Sequence, residues 1–207
     1  MIIEDISELF EQKFEKCSSI WANKKNIVYC KDSITELSKD DSDKNNPKFL
    51  CKYKNKFFGF DYIAKEYGIT EPSTDMIFFD IEKEYIVFVE YKNGQIKGKK
   101  DIQHKFLNSF SLLNQILNID KKTFWSLKTY LIFITNRKNN KGQEKYIENY
   151  QQGSYKILGQ MKQNIILYNF QKYKPWYFNE IKTPFCDEFE NLMKQEFNII
   201  LEKEELI

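Results

Sequence analysis

The chain has 207 residues, a length that suits one large domain with a sizeable core. Its 32 basic and 30 acidic residues leave a formal net charge of +2, which excludes a nucleic-acid binder that relies on overall basicity. Arg137 is the sole arginine, so bidentate guanine reading by arginine must be scarce. Four widely spaced cysteines and one histidine, His104, disfavour a zinc site of the usual kind. The acidic N-terminal stretch has no long apolar run, so we expect an intracellular protein with reduced thiols and no membrane span.

The first third of the chain predicts small elements around a polar loop. Residues 3–14 carry apolar side chains at helical spacing, which predicts an amphipathic helix. Residues 38–48 are almost all polar and are expected to form a flexible loop. Residues 49–60 alternate enough for a strand or hairpin. A short helix over residues 61–67 is expected to end at Gly68.

Two apolar runs predict a β-hairpin in the middle of the chain. Residues 73–80 and 85–94 are rich in β-branched and aromatic side chains, and the segment that joins them is short and charged. We expect the turn to be centred between Glu82 and Lys83. The register decides which side chains share a face of the sheet, because a slip of one residue moves a side chain to the other face.

The expected register brings three charged side chains together at one end of the hairpin. Asp75 lies directly opposite Glu90, and strand alternation places Lys92 on the same face. Two close carboxylates repel each other unless a cation or a proton lies between them. Mg²⁺ prefers such oxygen ligands, and a divalent cation activates water and offsets charge on a phosphate. The pattern predicts metal-assisted phosphodiester hydrolysis; the alternative is a strand-end salt bridge beside a turn aspartate.

The elements that follow complete an α/β order. Residues 101–117 predict a helix and residues 129–135 an interior strand, followed by a basic loop at 137–142. The expected apolar stripe of the helix consists of Ile102, Phe106, Leu107, Phe110, Leu113 and Leu117. The order strand, strand, helix, strand predicts a central mixed β-sheet flanked by helices on both faces.

The part of the chain after about residue 140 is expected to be a helical and aromatic extension of a single domain spanning residues 1–207. Its predicted elements are a helix over residues 144–163, a short strand over 165–168 and a final amphipathic helix over 185–205. Residues 168–185 interleave aromatic side chains with lysines. Such a segment can stack bases, but a role in the core or in a dimer surface is favoured.

The motif of Asp75 followed by Glu90-x-Lys92, with apolar strands between and a helix after, resembles the PD-(D/E)XK nuclease superfamily, whose fold is called restriction-endonuclease-like. The separation of 15 residues between the two acids is ordinary for it. The proline that usually directly precedes the aspartate is absent, although Pro72 lies three positions earlier. The resemblance covers roughly residues 60–135.

The resemblance implies a role for each motif residue. Asp75 and Glu90 would bind Mg²⁺, or Mn²⁺ in its place, with the backbone carbonyl of Tyr91 as a third ligand. Lys92 would be the catalytic lysine. An acidic residue from the first helix often completes such sites, and the candidates here are Glu8, Glu11 and Glu15, of which Glu11 is preferred.

The segment after the motif carries further candidates for nucleic-acid contact. Its lysines are Lys97, Lys99, Lys100 and Lys105. They would contact phosphates and make binding salt-dependent, or they belong to a solvated loop. Some members of the superfamily place a polar side chain of the following helix near the metal. Gln103 fits that position better than His104, and an ordinary exposed polar side chain is the alternative.

The resemblance therefore implies a metal-dependent nuclease, with DNA favoured over RNA as its substrate, in a restriction, repair or mobile-element setting. Cleavage of both strands by a chain with one site would favour a homodimer. Two alternatives stay open. One is a catalytically inactive interaction or scaffold protein on the same fold, and the other is an RNA-cleaving member.

Overall fold

The computed structural model describes residues 3–14, 31–40, 48–94, 100–139, 166–174 and 177–204. Within these ranges the helices are α1 (Ile3–Phe14), α2 (Ile34–Leu37), α3 (Phe60–Glu66), α4 (Lys100–Leu117), α5 (Lys121–Ser126) and α6 (Cys186–Phe197). The strands are β1 (Lys31–Ser33), β2 (Lys39–Asp40), β3 (Lys48–Phe49), β4 (Lys56–Gly59), β5 (Met76–Asp80), β6 (Tyr85–Lys92), β7 (Lys128–Thr135) and β8 (Glu180–Lys182). Two 3₁₀ segments lie at Arg137–Asn139 and Leu167–Tyr173.

Six of these strands form one mixed sheet in the order β1-β4-β5-β6-β7-β8, while β2 and β3 pair separately. Neighbours from β1 to β6 are antiparallel, and β6, β7 and β8 are parallel to one another. The parallel pair β6 and β7 is joined by a crossover that contains α4 and α5, as parallel strands require. The expected α/β class with a central mixed sheet is confirmed.

The register of the central hairpin is the one expected from its turn. Met76 pairs with Val89, and Asp80 pairs with Tyr85. Asp75 is the residue before β5, so one further step along the same register sets it opposite Glu90. The hairpin prediction is confirmed down to the individual residue pair.

Two apolar cores cover the two faces of the sheet. Along β6, Ile86 and Phe88 pack with the buried side chains of α1, α3 and α4. Val87, Val89 and Tyr91 point the other way and pack with those of α2 and α6. Alternation along the strand therefore places Glu90 and Lys92 on the α4 face. Helices on both faces of the sheet, as predicted, hold β6 in the middle of the molecule.

Several element boundaries differ from the predictions. The final helix ends at Phe197 rather than at residue 205, because Asn198 adopts a left-handed conformation (φ 55°) that stops a helix. The predicted strand over 165–168 is wrong for its described residues: Ile166 precedes a 3₁₀ segment instead, whose Phe170 and Tyr173 are buried three residues apart. The predicted helix over 144–163 lies outside the described residues.

Smaller corrections concern exposed positions. Leu107 was expected in the apolar stripe of α4 but is 39% exposed, while the other five stripe residues are buried. The polar loop predicted over 38–48 is ordered at its ends, where β2 pairs with β3; residues 41–47 lie outside the described residues. Gly68 ends α3 as predicted, with φ +69°.

The aromatic residues of the C-terminal part belong to the core, as favoured from the sequence. Phe170, Tyr173, Phe178 and Phe185 are all buried on the α4 side of the sheet. Arg137, the sole arginine, pairs with Asp187 and Glu188 at the start of α6, so it links the end of β7 to that helix.

No helix in the described ranges is both long enough and apolar enough to cross a membrane.

Candidate functional site

Asp75 and Glu90 lie at the end of the sheet where β5 begins and β6 ends. Oδ2 of Asp75 accepts a hydrogen bond of 2.6 Å from the backbone N–H of Tyr91, which continues the strand pairing one step beyond β5. The side chain of Glu90 is 2% exposed. The two carboxylates therefore stand side by side on the α4 face, above an apolar core.

The loop that leads into Asp75 is held from two sides. Oδ1 of Asp61, in the first turn of α3, accepts bonds from the backbone N–H (3.0 Å) and hydroxyl (2.5 Å) of Ser73. On α4, Oγ of Ser109 accepts a bond of 2.8 Å from the N–H of Thr74, and the amide of Asn108 donates to the carbonyl of Pro72 at 3.0 Å. The position of Asp75 is thus fixed by bonds from both neighbouring helices before any ligand arrives.

The cation between the two carboxylates is Lys105 of α4. Its Nζ lies 2.7 Å from Oε1 of Glu90 and 3.3 Å from Oδ1 of Asp75. The ammonium predicted to join the two carboxylates was that of Lys92, whereas the structure has a lysine of the following helix in this position. Lys92, the expected partner, lines the same cleft at the end of β6 and makes neither of these two ion pairs.

Asp75, Glu90 and Lys105 form a charged trio, and burial controls the pKa values of its members. Burial raises the pKa of Glu90 well above its usual value, and the neighbouring Asp75 raises it further, against the opposing effect of Lys105. Burial likewise raises the pKa of Asp75, while Lys105 lowers it. For Lys105, burial lowers the pKa, but the charges of Glu90 and Asp75 outweigh that and the net change is upward. The lysine therefore stays charged and compensates the carboxylates.

The trio opens into a polar cleft of about 330 Å³. Besides the trio, its described lining residues are Ser38, Lys39, Asp40, Tyr91, Lys92, Asn93 and Gly94. Charged side chains of both signs and few apolar ones suit a charged, hydrated ligand better than an apolar one. Asn93 at the rim accepts a bond of 3.0 Å from the amide of Asn136, which joins the ends of the parallel strands β6 and β7.

One oxygen of the trio has no donor. Oε2 of Glu90 is buried and, among the described residues, receives no hydrogen bond. A buried carboxylate oxygen left in this state is costly unless a cation or a donor reaches it. The Tyr91 carbonyl points to the same side of β6 as its N–H, which is the Asp75 side. Two carboxylates and a carbonyl are the oxygen donors that Mg²⁺ accepts, with water in its other positions, so the residues fit such an ion.

The described residues contain no cluster of three or more histidine, cysteine, aspartate or glutamate side chains arranged for a metal. Glu11, the preferred acid of the first helix, pairs instead with Lys31 at 2.5 Å and is 49% exposed. Glu8 lies on the same helix and is exposed, and Glu15 falls outside the described residues. Neither Glu8 nor Glu11 is among the described residues that line the site, so a metal held by the described residues would rely on Asp75, Glu90, the carbonyl and water.

The predicted nucleic-acid contacts are placed unevenly. Lys97 and Lys99 lie outside the described residues, three and five positions after the cleft residue Gly94, and Lys100 is the first residue of α4. Gln103 is half-buried and His104 is exposed on α4, and neither is among the described lining residues of the cleft.

Lys105 is the site residue whose role sequence reasoning missed, since it was grouped with the phosphate-contacting lysines. A signal was available. Lys105 lies between Ile102, Phe106 and Ser109 on the buried side of an amphipathic helix, and lysine is rarely placed there without a partner. Asp75 and Glu90 are the two carboxylates that the predicted hairpin register sets on one face of the sheet.

Comparisons of the chain with models of protein families, with curated proteins and with solved structures give no match. The function is therefore inferred from the geometry of this site and from the resemblance of its motif.

Proposed function

We propose that this chain is a metal-dependent nuclease that hydrolyses phosphodiester bonds in DNA, on a restriction-endonuclease-like fold. The observation that carries the proposal is the pair of Asp75 and Glu90, fixed side by side at the end of the sheet, with one buried oxygen of Glu90 that receives no hydrogen bond from the described residues. The pair lies on the antiparallel hairpin of β5 and β6, which is followed by a crossover with α4 and by the parallel strand β7. The polar cleft beside it has room for a phosphate and its water.

Each residue has a distinct part in this mechanism. Asp75, Glu90 and the carbonyl of Tyr91 would hold Mg²⁺ or Mn²⁺, which would activate water and offset charge on the phosphate. Lys92, on the same face two residues after Glu90, supplies positive charge where the phosphate oxygens and the attacking water meet. Lys105 orients the two carboxylates and neutralises them while the site is without a metal. The lysines after Gly94 would contact the DNA backbone.

A second candidate is supported by one specific observation. Because Lys105 already compensates both carboxylates, the trio can also be a buried charge network of an interaction or scaffold protein that has no chemistry. On that reading the polar cleft would bind a partner without cleaving it. An RNA-cleaving enzyme is the third possibility, and the same test separates it from the DNA nuclease by substrate.

The test is thermal unfolding with EDTA, Mg²⁺ or Mn²⁺, with plasmid DNA and a structured RNA incubated in parallel. At a metal concentration of about 100 times Kd we expect a rise in Tm of about 5 °C, together with nicking or linearisation of the plasmid. Asp75→Asn should lose both effects. The matched control is Asp80→Asn, at the opposite end of β5, which should keep both. A wild type that shows neither effect would leave the interaction protein as the function.

The pH dependence of metal binding gives an independent prediction. Because the pKa of Glu90 is raised by burial and by Asp75, a metal must compete with a proton at that carboxylate. With EDTA as the reference at each pH, the metal-induced rise in Tm should therefore be smaller at pH 6 than at pH 8. A rise that is constant with pH, or larger in acid, would contradict the assignment of Glu90 as a ligand.

A further inference from the structure

Two cysteine thiols meet on the face of the sheet opposite the trio. Sγ of Cys51 lies 3.2 Å from Sγ of Cys186, although 135 residues separate them along the chain. Both are free thiols. Cys51 is 1% exposed and lies just after β3, whereas Cys186 is the first residue of α6 and is half-buried. No local pattern pairs them, since no other cysteine lies near either along the chain.

We propose that Cys51 and Cys186 form a redox-active dithiol site, which low-molecular-weight disulfides such as oxidised glutathione convert to an intramolecular disulfide. The thiolate of Cys186 attacks one sulfur of oxidised glutathione and releases one glutathione thiolate. Cys51 then loses its proton and attacks Sγ of Cys186, which releases the second glutathione. Two protein thiols are thereby oxidised by two electrons, and one glutathione disulfide is reduced to two thiols.

The surroundings of the two thiols give them different parts. Cys186 is the thiol that solvent reaches, and it stands at the N-terminus of a helix, where a thiolate is favoured. A hydrogen bond from Cys51 lowers the pKa of Cys186, and the same bond together with burial raises the pKa of Cys51. In its thiol form Cys186 donates to the carbonyl of Leu50 at 2.6 Å, which keeps its sulfur against the segment that carries Cys51. Cys186 therefore attacks first and Cys51 resolves.

The thiol pair is connected to one wall of the polar cleft. The backbone N–H of Cys51 donates to Oγ of Ser38 at 3.1 Å, and that hydroxyl donates to the carbonyl of Cys51 at 3.0 Å. Ser38 and the following Lys39 and Asp40 line the cleft. A disulfide would thus link the segment that contains Ser38, Lys39 and Asp40 to α6. This helix packs on the opposite face of the strand that carries Glu90.

The experiment uses the full chain with Cys17→Ser and Cys30→Ser, which leaves Cys51 and Cys186 as its two cysteines. The protein is equilibrated with mixtures of reduced and oxidised glutathione, alkylated and digested, and the peptides are identified by mass spectrometry. We expect a peptide in which Cys51 is linked to Cys186 to appear as the oxidised fraction rises. Closing so long a loop should raise Tm by about 5–10 °C, and dithiothreitol should reverse the change.

Two single variants in the same background test the order of attack. Cys51→Ala should accumulate glutathione on Cys186, because no resolving thiol remains, and Cys186→Ser should leave Cys51 unmodified in the native protein. Amide hydrogen exchange should slow in residues 31–40 and 48–58 of the oxidised parent and stay unchanged in both variants. The proposal is overturned if the linked peptide is absent at every glutathione ratio, or if Cys51 reacts faster than Cys186.

Discussion

Replacing Lys105 with methionine is expected to destabilise the protein by about 3 kcal/mol at pH 8 in EDTA, because it leaves a buried carboxylate without its cation. Lys105 contacts both carboxylates, and its partner Glu90 is 2% exposed. Methionine keeps most of the side-chain volume, so the loss reports charge rather than packing. Urea unfolding of the variant and the wild type measures the difference.

The sign of the pH dependence distinguishes a charge effect from a packing defect. Without Lys105 the pKa of Glu90 in the folded protein is raised by burial and by Asp75 above its unfolded value, so the folded state binds a proton more readily than the unfolded state. Stability of the variant relative to wild type should therefore recover as the pH falls, because Glu90 takes up that proton in the folded variant. A deficit that does not change with pH would contradict the charge assignment.

A double variant and a control sharpen the measurement. Adding Glu90→Gln to Lys105→Met removes the uncompensated charge at nearly constant shape and should restore most of the lost stability. Lys128→Met breaks the exposed pair between Lys128 and Glu84 and should cost less than about 1 kcal/mol. Mg²⁺ should stabilise Lys105→Met more than wild type, because the ammonium and a metal both compensate the charges of Asp75 and Glu90.

Lys92→Ala is expected to lower plasmid cleavage about 10²–10³-fold while the fold and the metal-induced rise in Tm are kept. Lys92 lines the cleft on the same face as Glu90 but is not the lysine that compensates the carboxylates. Its removal therefore withdraws positive charge from the phosphate without leaving Glu90 unpaired. Initial cleavage rates at saturating Mg²⁺ and urea unfolding in EDTA, measured on the same preparation, separate the two effects.

The matched control for this variant is Lys128→Ala, which removes a lysine from the start of the neighbouring strand β7. It should cleave at the wild-type rate. If cleavage survives Lys92→Ala but is lost in a Lys105 variant that is still folded, then Lys105 rather than Lys92 is the catalytic lysine. Unchanged cleavage in both variants would show that neither Lys92 nor Lys105 takes part in cleavage.

The central hairpin could be predicted from the sequence because its determinants are local. Two β-branched and aromatic runs joined by a short charged turn leave few registers that bury one face of each strand, and that register alone sets Asp75 opposite Glu90. The helix over residues 101–117 and the strand over 129–135 follow in the same way from periodicity and apolar length. These elements in this order define a mixed α/β sheet.

Other boundaries depended on contacts that no local pattern carries. The final helix stops at Phe197 because Asn198 adopts a left-handed backbone conformation. The chain then folds back, and Lys203 forms an isolated antiparallel β-bridge with Tyr53. The apolar residues near 166 become part of a 3₁₀ segment because Phe170 and Tyr173 must reach the core beside α4. In both places tertiary packing overrode the pattern of the segment itself.

The sequence by itself therefore determined the paired carboxylates and the strands that hold them, since both follow from the period of a strand and the length of a turn. Only the tertiary structure decided which lysine lies between the carboxylates and that Cys51 meets Cys186. The physical reason is the same for both. Lys105 and Cys186 reach their partners through helices whose rotation and placement on the sheet are set by packing of the whole core rather than by spacing along the chain.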